Sequence, residues 1–267
     1  MSNSCYHYTS IEALYNIVTN KSLHFGSFGM MNDPLETKID DELLRQTYEN
    51  EFSEAELHPK FYFKRNNTDE FQYRSFGFST SKFGDDLTQW RSYTQKGLGV
   101  CIEFDRVELE KQLSKLLRDE MAVSYECVYS KDEELALFEN YVQSVRNNDW
   151  YKAMNQFHPD YMNHIQSGSK YITALQEMAI QIKHKSFEAE SEVRFFILQD
   201  NFTGKIEIKP CSSGLTRYVS VPITPECIKS IRTGPLVDKR NNFMISELFF
   251  SNMGKLITIT ETTSPYV

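Results

Sequence analysis

The sequence lacks a paired set of cysteines. Its 267 residues include five cysteines, an odd number, and none of them forms a Cys-x-x-Cys pair. Such scattered positions argue against both a disulfide framework and a zinc site, so we expect no bound metal. Cys101 and Cys127 lie in apolar stretches, where cysteine behaves as a small core residue. We therefore expect reduced thiols and a cytoplasmic location.

Long apolar runs and an excess of positive charge are also missing. No run reaches the length of a membrane span. The first ten residues have neither the basic nor the apolar region of a signal peptide. The formal net charge of −8 argues against broad electrostatic binding to nucleic acid, although a local basic groove is compatible with it. With 40% hydrophobic and 25% charged residues, we expect a soluble globular protein with no membrane partner.

Neither a linker nor an internal repeat divides the sequence. No stretch is rich enough in Pro, Gly or Ser to separate two domains. Short strand patterns alternate with amphipathic helical patterns, which predicts one α+β domain over residues 1–267. Residues 131–187 have a helical pattern throughout. We expect them to form a helical insertion that packs on one side of the domain.

The first stretch suited to chemistry is the predicted first strand, Tyr6–Ser10. Side chains alternate along a strand, so His7 and Thr9 face the same way. A histidine and a hydroxyl on one face could bind the diol of a ribose. The alternative is a histidine that packs in the core with its hydrogen bonds satisfied.

The second stretch runs from Phe76 to Phe104 and reads as strand, polar loop, short helix and strand. The short helix carries Trp90, Arg91 and Tyr93. An indole, a guanidinium and a phenol so close together suggest a surface that recognises a flat, anionic ligand. The alternative is that Trp90 and Tyr93 pack into the core while Arg91 points to solvent.

The third stretch is the strand pattern around Glu190, Glu192 and Arg194. We expect these three side chains to share one face of the strand, opposite an apolar face. Two carboxylates so close together are costly to bury without partners, which favours a functional site. The alternative is an edge strand whose polar face is solvated.

Together with other motifs, these stretches resemble the bacterial proteins grouped as domain of unknown function 2971. The motifs follow one another in the family's order along nearly the whole chain: Tyr6–Ser10, Met31–Glu36, Phe78–Ser81, Gln89–Tyr93, Gly97–Phe104, Phe187–Arg194 and Ile231–Pro235.

The motif order further resembles that of the ADP-ribosyltransferase superfamily. In that superfamily a His or Arg on the first strand, a Tyr or Ser-Thr-Ser on the second and a Glu on a late strand bind and cleave NAD. His7, Ser79-Thr80-Ser81 and Glu190-x-Glu192 occur here in that order. His7 is typical of one transferase class, whereas Ser-Thr-Ser and Glu-x-Glu are typical of another.

This resemblance implies a central mixed or antiparallel sheet and an enzyme that uses NAD as its substrate. Glu192 would stabilise the oxocarbenium-like ribose and Glu190 would act on the acceptor, a protein or a nucleic acid. His7 is the third implied catalytic residue and would hold a ribose hydroxyl. The other implied contacts to NAD come from Thr9, Ser79, Trp90, Arg91 and Tyr93.

Such an enzyme would be an ADP-ribosyltransferase or an NAD glycohydrolase, and would fit a toxin or a defence effector. Two other functions compete with it. One is a non-catalytic protein that binds a nucleotide or a nucleic-acid end. The other is a metal-independent nuclease built on His7 and the two glutamates.

Overall fold

The computed structural model describes residues 3–30, 39–52, 74–117, 123–147, 177–199, 202–211 and 214–265. Its strands are β1 Ser4–Thr9, β2 Ser22–Ser27, β3 Ser75–Ser81, β4 Val100–Asp105, β5 Ser124–Glu126, β6 Glu192–Leu198, β7 Ile206–Cys211, β8 Gly214–Pro222, β9 Ile228–Thr233 and β10 Thr258–Glu261. Its α-helices are α1 Ile11–Asn20, α2 Asp41–Glu51, α3 Leu87–Tyr93, α4 Arg106–Ser114, α5 Lys131–Asn147 and α6 Arg240–Met253. The motif Met31–Glu36 lies outside the described residues.

Four helices start at the polar caps that the sequence provides. The Ser10 hydroxyl accepts a hydrogen bond from the backbone N–H of Ala13 and caps α1. Carboxylates of Asp40, Asp86 and Asp105 cap α2, α3 and α4 in the same way. These contacts satisfy N–H groups that have no partner inside the helix, so they fix where each helix begins.

The strands form one open, mostly antiparallel sheet. Along its main path the order is β10-β9-β4-β1-β3-β2-β8-β7, and β6 joins β3 to β5. Only the pair β9 and β10 is parallel among these strands. The prediction of an α+β protein with a mixed or antiparallel sheet is therefore confirmed.

The sheet divides at β3. Strand β6 pairs with β3 along its whole length, from Ser75 to Ser81, and so occupies one edge. The other edge is shared: β2 pairs with Phe76 and Gly77, and β1 pairs only with Ser81. Between them, Phe78–Thr80 pairs with β6 alone among the described strands. The two neighbours of β3 therefore diverge and leave an opening over its middle.

The main hydrophobic core lies between the sheet and helices α1, α4 and α6. Buried residues of β3, β4 and β6 pack there against Leu14, Leu109 and Phe249. A second cluster joins α2 to α5 through Leu44, Tyr48, Phe138 and other apolar side chains. Within the described ranges, no helix is long and apolar enough to cross a membrane.

The described part of the predicted helical stretch over residues 131–187 is helical except at residues 182–184, and the helical insertion itself stays a prediction. Lys131–Asn147 and residues 177–181 are α-helical, and Lys185–Glu190 is a 3₁₀ helix. Residues 182–184 separate the α-helical residues 177–181 from the 3₁₀ helix. They are not helical because Ile182 pairs with Val128 in an isolated β-bridge. Residues 148–176 lie outside the described part of the chain.

The alternative of a solvated edge strand at Glu192–Leu198 is wrong. Strand β6 lies between β3 and β5, and all seven of its residues are buried. Because its polar side chains are shielded by both neighbours, Glu192 and Arg194 must find partners inside the protein.

Asp85 connects the loop before α3 to the end of the chain. Its carboxylate accepts hydrogen bonds from Trp90 Nε1 at 2.8 Å, from the Thr263 backbone N–H at 2.8 Å and from the Thr262 hydroxyl. Burial raises the pKa of this carboxyl, but these donors outweigh it and hold the pKa at about 2. Asp85 therefore fixes the position of α3 beside the sheet.

We expect Asp85→Ala to lower the free energy of unfolding by about 2 kcal/mol or more, since several donors to an ionised group lose their acceptor. Urea unfolding measures this. Glu49→Ala, which removes an exposed pair with Arg45, is the control and should change little. Equal effects of the two substitutions would contradict the role given to Asp85.

Candidate functional site

A cleft of about 390 Å³ lies over the middle of β3, where β1 and β2 diverge. Strand β3 forms its floor, and α3 and the 3₁₀ helix Lys185–Glu190 supply further lining. The residues that line it are Tyr6, His7, Tyr8, His24, Met30, Gly77, Phe78, Ser79, Thr80, Ser81, Gln89, Tyr93, Lys183, Phe187, Glu190 and Glu192. Aromatic rings and ionised side chains therefore share one opening, which suits a ligand with both flat and charged parts.

Glu192 lies at the bottom of this cleft and is held by two cations. Arg194 Nε donates to Glu192 Oε1 at 2.8 Å, and Lys183 Nζ donates to Glu192 Oε2 at 2.5 Å. The Glu192 side chain is only 3% exposed. Burial raises the pKa of its carboxyl, but the charges of Arg194 and Lys183 outweigh burial and hold the pKa at about 2. The carboxylate is therefore ionised at neutral pH.

Arg194 is the fixed partner in this pair. Its side chain is fully buried, its Nη1 donates to the backbone carbonyl of Ile180 at 2.8 Å, and its guanidinium lies 5.6 Å from the centre of the Phe28 ring. The Phe28 ring packs directly on Gly77. There is room for it only because Gly77 has no side chain, since an added Cβ would lie 2.4 Å from the ring.

Lys183 joins the two glutamates. Its ammonium donates to Glu190 Oε2 and to Glu192 Oε2, each at 2.5 Å. The Tyr93 hydroxyl donates to the other oxygen of Glu190 at 2.5 Å. Burial lowers the pKa of Lys183, but the carboxylates outweigh it and raise the pKa above its usual value. Lys183 is therefore a cation at neutral pH, and no amine nucleophile is expected from it.

His7 faces the cleft in a neutral state. Its Nδ1 lies 2.9 Å from the Ser79 carbonyl oxygen, and its ring packs against the Phe78 ring at 4.4 Å between centroids, with the two planes tilted by 35°. Because a carbonyl oxygen only accepts, we assign the proton to Nδ1, which leaves Nε2 as an acceptor. Burial lowers the pKa of His7, against a smaller opposing effect of the Ser79 hydrogen bond.

The cleft brings together five of the predicted site residues: His7, Ser79, Tyr93, Glu190 and Glu192. They come from β1, β3, α3, the 3₁₀ helix and β6. The expected common face of Glu190 and Glu192 is wrong, because Glu190 ends the 3₁₀ helix and Ser191 turns the chain with a left-handed φ of 44°. Glu190 reaches the cleft from the rim, and Glu192 from the sheet.

Trp90 is not part of the cleft lining. Its side chain is fully buried, its ring meets Tyr8 edge-on at 4.9 Å, and its Nε1 donates to Asp85. The expectation of a stacking surface at Trp90 therefore needs correction: this indole packs in the core, as the alternative had it. The reason is that α3 turns its Trp90 side toward β1 and its Tyr93 side toward the cleft.

Arg91 and Thr9 also lie away from the cleft lining. Arg91 is exposed on α3. Thr9 ends β1 and pairs with Val100 of β4. Strand alternation gives Thr9 the same direction as His7, but only the part of β1 near Tyr6 meets β3, so Thr9 lies beyond the opening.

Lys183 and Phe187 line the cleft and were not predicted from the sequence. Lys183 follows a short helical stretch and carries no motif of its own. Phe187 belongs to the motif that ends at Arg194, and its ring lies 4.9 Å from the Lys183 ammonium. Within the described residues, no group of three or more His, Cys, Asp or Glu side chains is arranged to hold a metal ion.

The family model described as "Protein of unknown function (DUF2971)" matches residues 89–195. Over these residues, the chain is similar to this family. The DUF2971 match runs from Gln89 on α3 to Phe195 on β6, so it contains Tyr93, Lys183 and Glu192, whereas His7 and Ser79 precede it. No curated protein and no solved structure matches the chain.

We expect the Glu192 carboxylate to contribute to acid denaturation. Its folded pKa lies below the unfolded value, so its contribution to stability is present above pH 4.5 and is lost as the pH falls toward about 2. The loss amounts to about 3 kcal/mol for this group. Urea unfolding at pH 5 and pH 3 should show a steeper decline for the wild type than for Glu192→Gln. Equal declines would contradict the ionised, buried state of Glu192.

Proposed function

We propose that this protein binds NAD in the cleft and cleaves the bond between nicotinamide and ribose. ADP-ribose then passes to a protein or nucleic-acid acceptor, or to water. The proposal is carried by one observation. Strand β3 pairs with β1 and β6, and these three strands bring His7, Ser79 and Glu192 to one cleft. Loss of cellular NAD, or modification of an acceptor, would suit a toxin or a defence effector.

The proposal includes the fold. We infer a sheet of the ADP-ribosyltransferase type, in which the strand with the histidine, the strand with Ser-Thr-Ser and the strand with the glutamate are adjacent. The order β1-β3-β6 meets that requirement. The divergence of β1 and β2 supports it further, because it opens the sheet over Ser79.

Glu192 is the proposed catalytic carboxylate. When the bond from ribose C1′ to the nicotinamide nitrogen breaks, its electron pair moves to the nicotinamide ring, which loses its positive charge. The ribose then becomes oxocarbenium-like. A fixed, ionised carboxylate beside C1′ stabilises that positive charge. Glu192 suits this role because Arg194 holds it in one place and keeps it ionised.

Glu190 is proposed to act on the nucleophile. In transfer, an oxygen of the acceptor forms the new bond to C1′, and its proton passes to the Glu190 carboxylate. In hydrolysis, a water oxygen forms this bond and its proton passes to the solvent. The side chain of Glu190 is 15% exposed against 3% for Glu192, so it is the more accessible of the two to an incoming group. Tyr93 and Lys183 orient it.

His7 and Tyr93 are proposed to bind the substrate. The free Nε2 of a neutral His7 would accept a hydrogen bond from a ribose hydroxyl. Tyr93 is 43% exposed, and its ring would stack on the nicotinamide or on the adenine. Trp90, Arg91 and Thr9 have no direct contact with NAD in this proposal.

Incubation of the purified protein with NAD, followed by chromatography of free nicotinamide, tests the proposal. We expect nicotinamide to appear above the buffer blank. If the protein neither binds nor cleaves NAD, the proposal is contradicted. That result would favour a non-catalytic protein that binds another nucleotide or a nucleic-acid end. Cleavage of a nucleic acid without nicotinamide release would favour the nuclease.

Glu192→Gln should lower kcat for nicotinamide release by about 100-fold or more and change the Kd for NAD little. The amide keeps the shape but loses the charge that acts in the transition state. Initial rates and calorimetric titration measure the two quantities.

A control is needed because Glu192→Gln leaves Arg194 without its charged partner, which costs about 3–5 kcal/mol of stability for a buried pair. Glu110→Gln provides it, since Glu110 is a partly buried carboxylate paired with Arg106 at 3.0 Å outside the cleft. It should retain turnover. A folded Glu192→Gln protein with wild-type nicotinamide release would exclude the proposed role of Glu192.

Glu190→Gln should reduce transfer to an acceptor more than hydrolysis, because its proposed proton donor is the acceptor. NAD labelled in its adenine ring, incubated with the protein and a cell lysate, gives the ratio of labelled macromolecules to free ADP-ribose. Glu188→Gln, an exposed neighbour on the same 3₁₀ helix, is the control. An unchanged ratio in Glu190→Gln would remove Glu190 from the transfer step.

A further inference from the structure

Lys183 occupies the position between the two carboxylates that the proposed reaction needs. Its ammonium lies 2.5 Å from an oxygen of each glutamate, and its side chain is 8% exposed. A ribosyl cation that forms beside Glu192 would compete with this ammonium for the same oxygens. The nicotinamide ring of NAD, which is positively charged before cleavage, would compete with it as well.

Lys183 and Arg194 differ in how firmly they are held. Arg194 is fully buried and is fixed by a backbone carbonyl as well as by Glu192. The backbone N–H of Lys183 donates to Val128 O at 3.1 Å, but its ammonium is held by the two glutamates and by the face of the Phe187 ring. Lysine carries its charge on a flexible four-carbon stem. Lys183 is therefore the cation that can leave.

The balance of charge favours its departure when a cation binds. Glu190, Glu192, Lys183 and Arg194 together sum to zero. Without the ammonium of Lys183 the same site has a net charge of −1, and Arg194 still keeps Glu192 ionised. A site of that charge stabilises a cationic ring and the ribosyl cation that follows it.

There is space for the displaced side chain. Lys183 also borders a second cavity, of about 630 Å³, whose lining includes the carboxylates of Asp40, Asp132 and Glu134. A lysine that leaves the cleft side would therefore remain near acidic groups, which lowers the cost of moving it.

We propose that Lys183 is a specificity-determining residue that competes with the cationic end of the substrate and must be displaced for the substrate to bind. This inference rests on the proposed function. It predicts that removal of the ammonium favours ligands with a positively charged ring over those with a neutral ring.

The test compares two dinucleotides by calorimetric titration. One is the NAD analogue whose nicotinamide-ribose ring oxygen is replaced by methylene, which keeps the positive ring and is not cleaved. The other is NADH, whose ring is neutral. In Lys183→Met the affinity ratio of the cationic to the neutral ligand should rise about tenfold or more over the wild type. The ratio cancels losses of affinity that affect both ligands equally.

Two controls complete the design. Lys183→Arg keeps the charge and should keep a ratio near that of the wild type. Lys239→Met removes a lysine that pairs with Glu261 at 2.8 Å outside both cavities and should leave the ratio unchanged. If Lys183→Met binds both ligands with the wild-type ratio, the proposed role of Lys183 is wrong, whereas the proposed function is unaffected. If the wild type and every variant bind neither dinucleotide, the proposed function itself fails.

Discussion

The buried carboxylate of Glu192 is the constraint on which the site depends. A charge removed from water on a fully buried strand is stable only with close cationic partners and saturated hydrogen bonds. Arg194 and Lys183 supply both, and the backbone N–H of Glu192 donates to the Tyr129 hydroxyl at 2.7 Å. The same contacts fix the first residue of β6, orient Glu190 through Lys183 and keep Glu192 ionised. The local structure and the proposed chemistry therefore depend on the same group of side chains.

The second requirement is the divided edge of β3. Had β1 or β2 paired with the whole of β3, backbone hydrogen bonds would have filled the space over Phe78–Thr80. Instead, His7 Nδ1 contacts the Ser79 carbonyl across the opening. Asp85 and the capped helix α3 then place Tyr93 and Gln89 on the far side, where Gln89 Nε2 donates to the Glu190 carbonyl at 3.2 Å. The gap in strand pairing along β3 thus gives the sheet a polar cleft.

Local patterns predicted the parts of this structure that depend on local physics. The strands that carry His7, Ser79 and Glu192 could be inferred from the chain, and the resemblance in motif order implied that these residues meet. The burial of Trp90 and the position of Glu190 could not, because they depend on which side of α3 meets β1 and on the left-handed turn at Ser191. Lys183 could not be predicted from the sequence, because its place in the site depends on two carboxylates that approach it only in the folded chain.

A crystal structure with the uncleaved methylene analogue of NAD would test most directly whether NAD binds beside Glu192. We expect the analogue in the cleft, with C1′ of its nicotinamide ribose about 3–3.5 Å from the Glu192 carboxylate. We also expect a ribose hydroxyl on His7 Nε2 and the Lys183 ammonium withdrawn from Glu192. An analogue bound elsewhere on the protein, with Lys183 still between Glu190 and Glu192, would contradict this expectation.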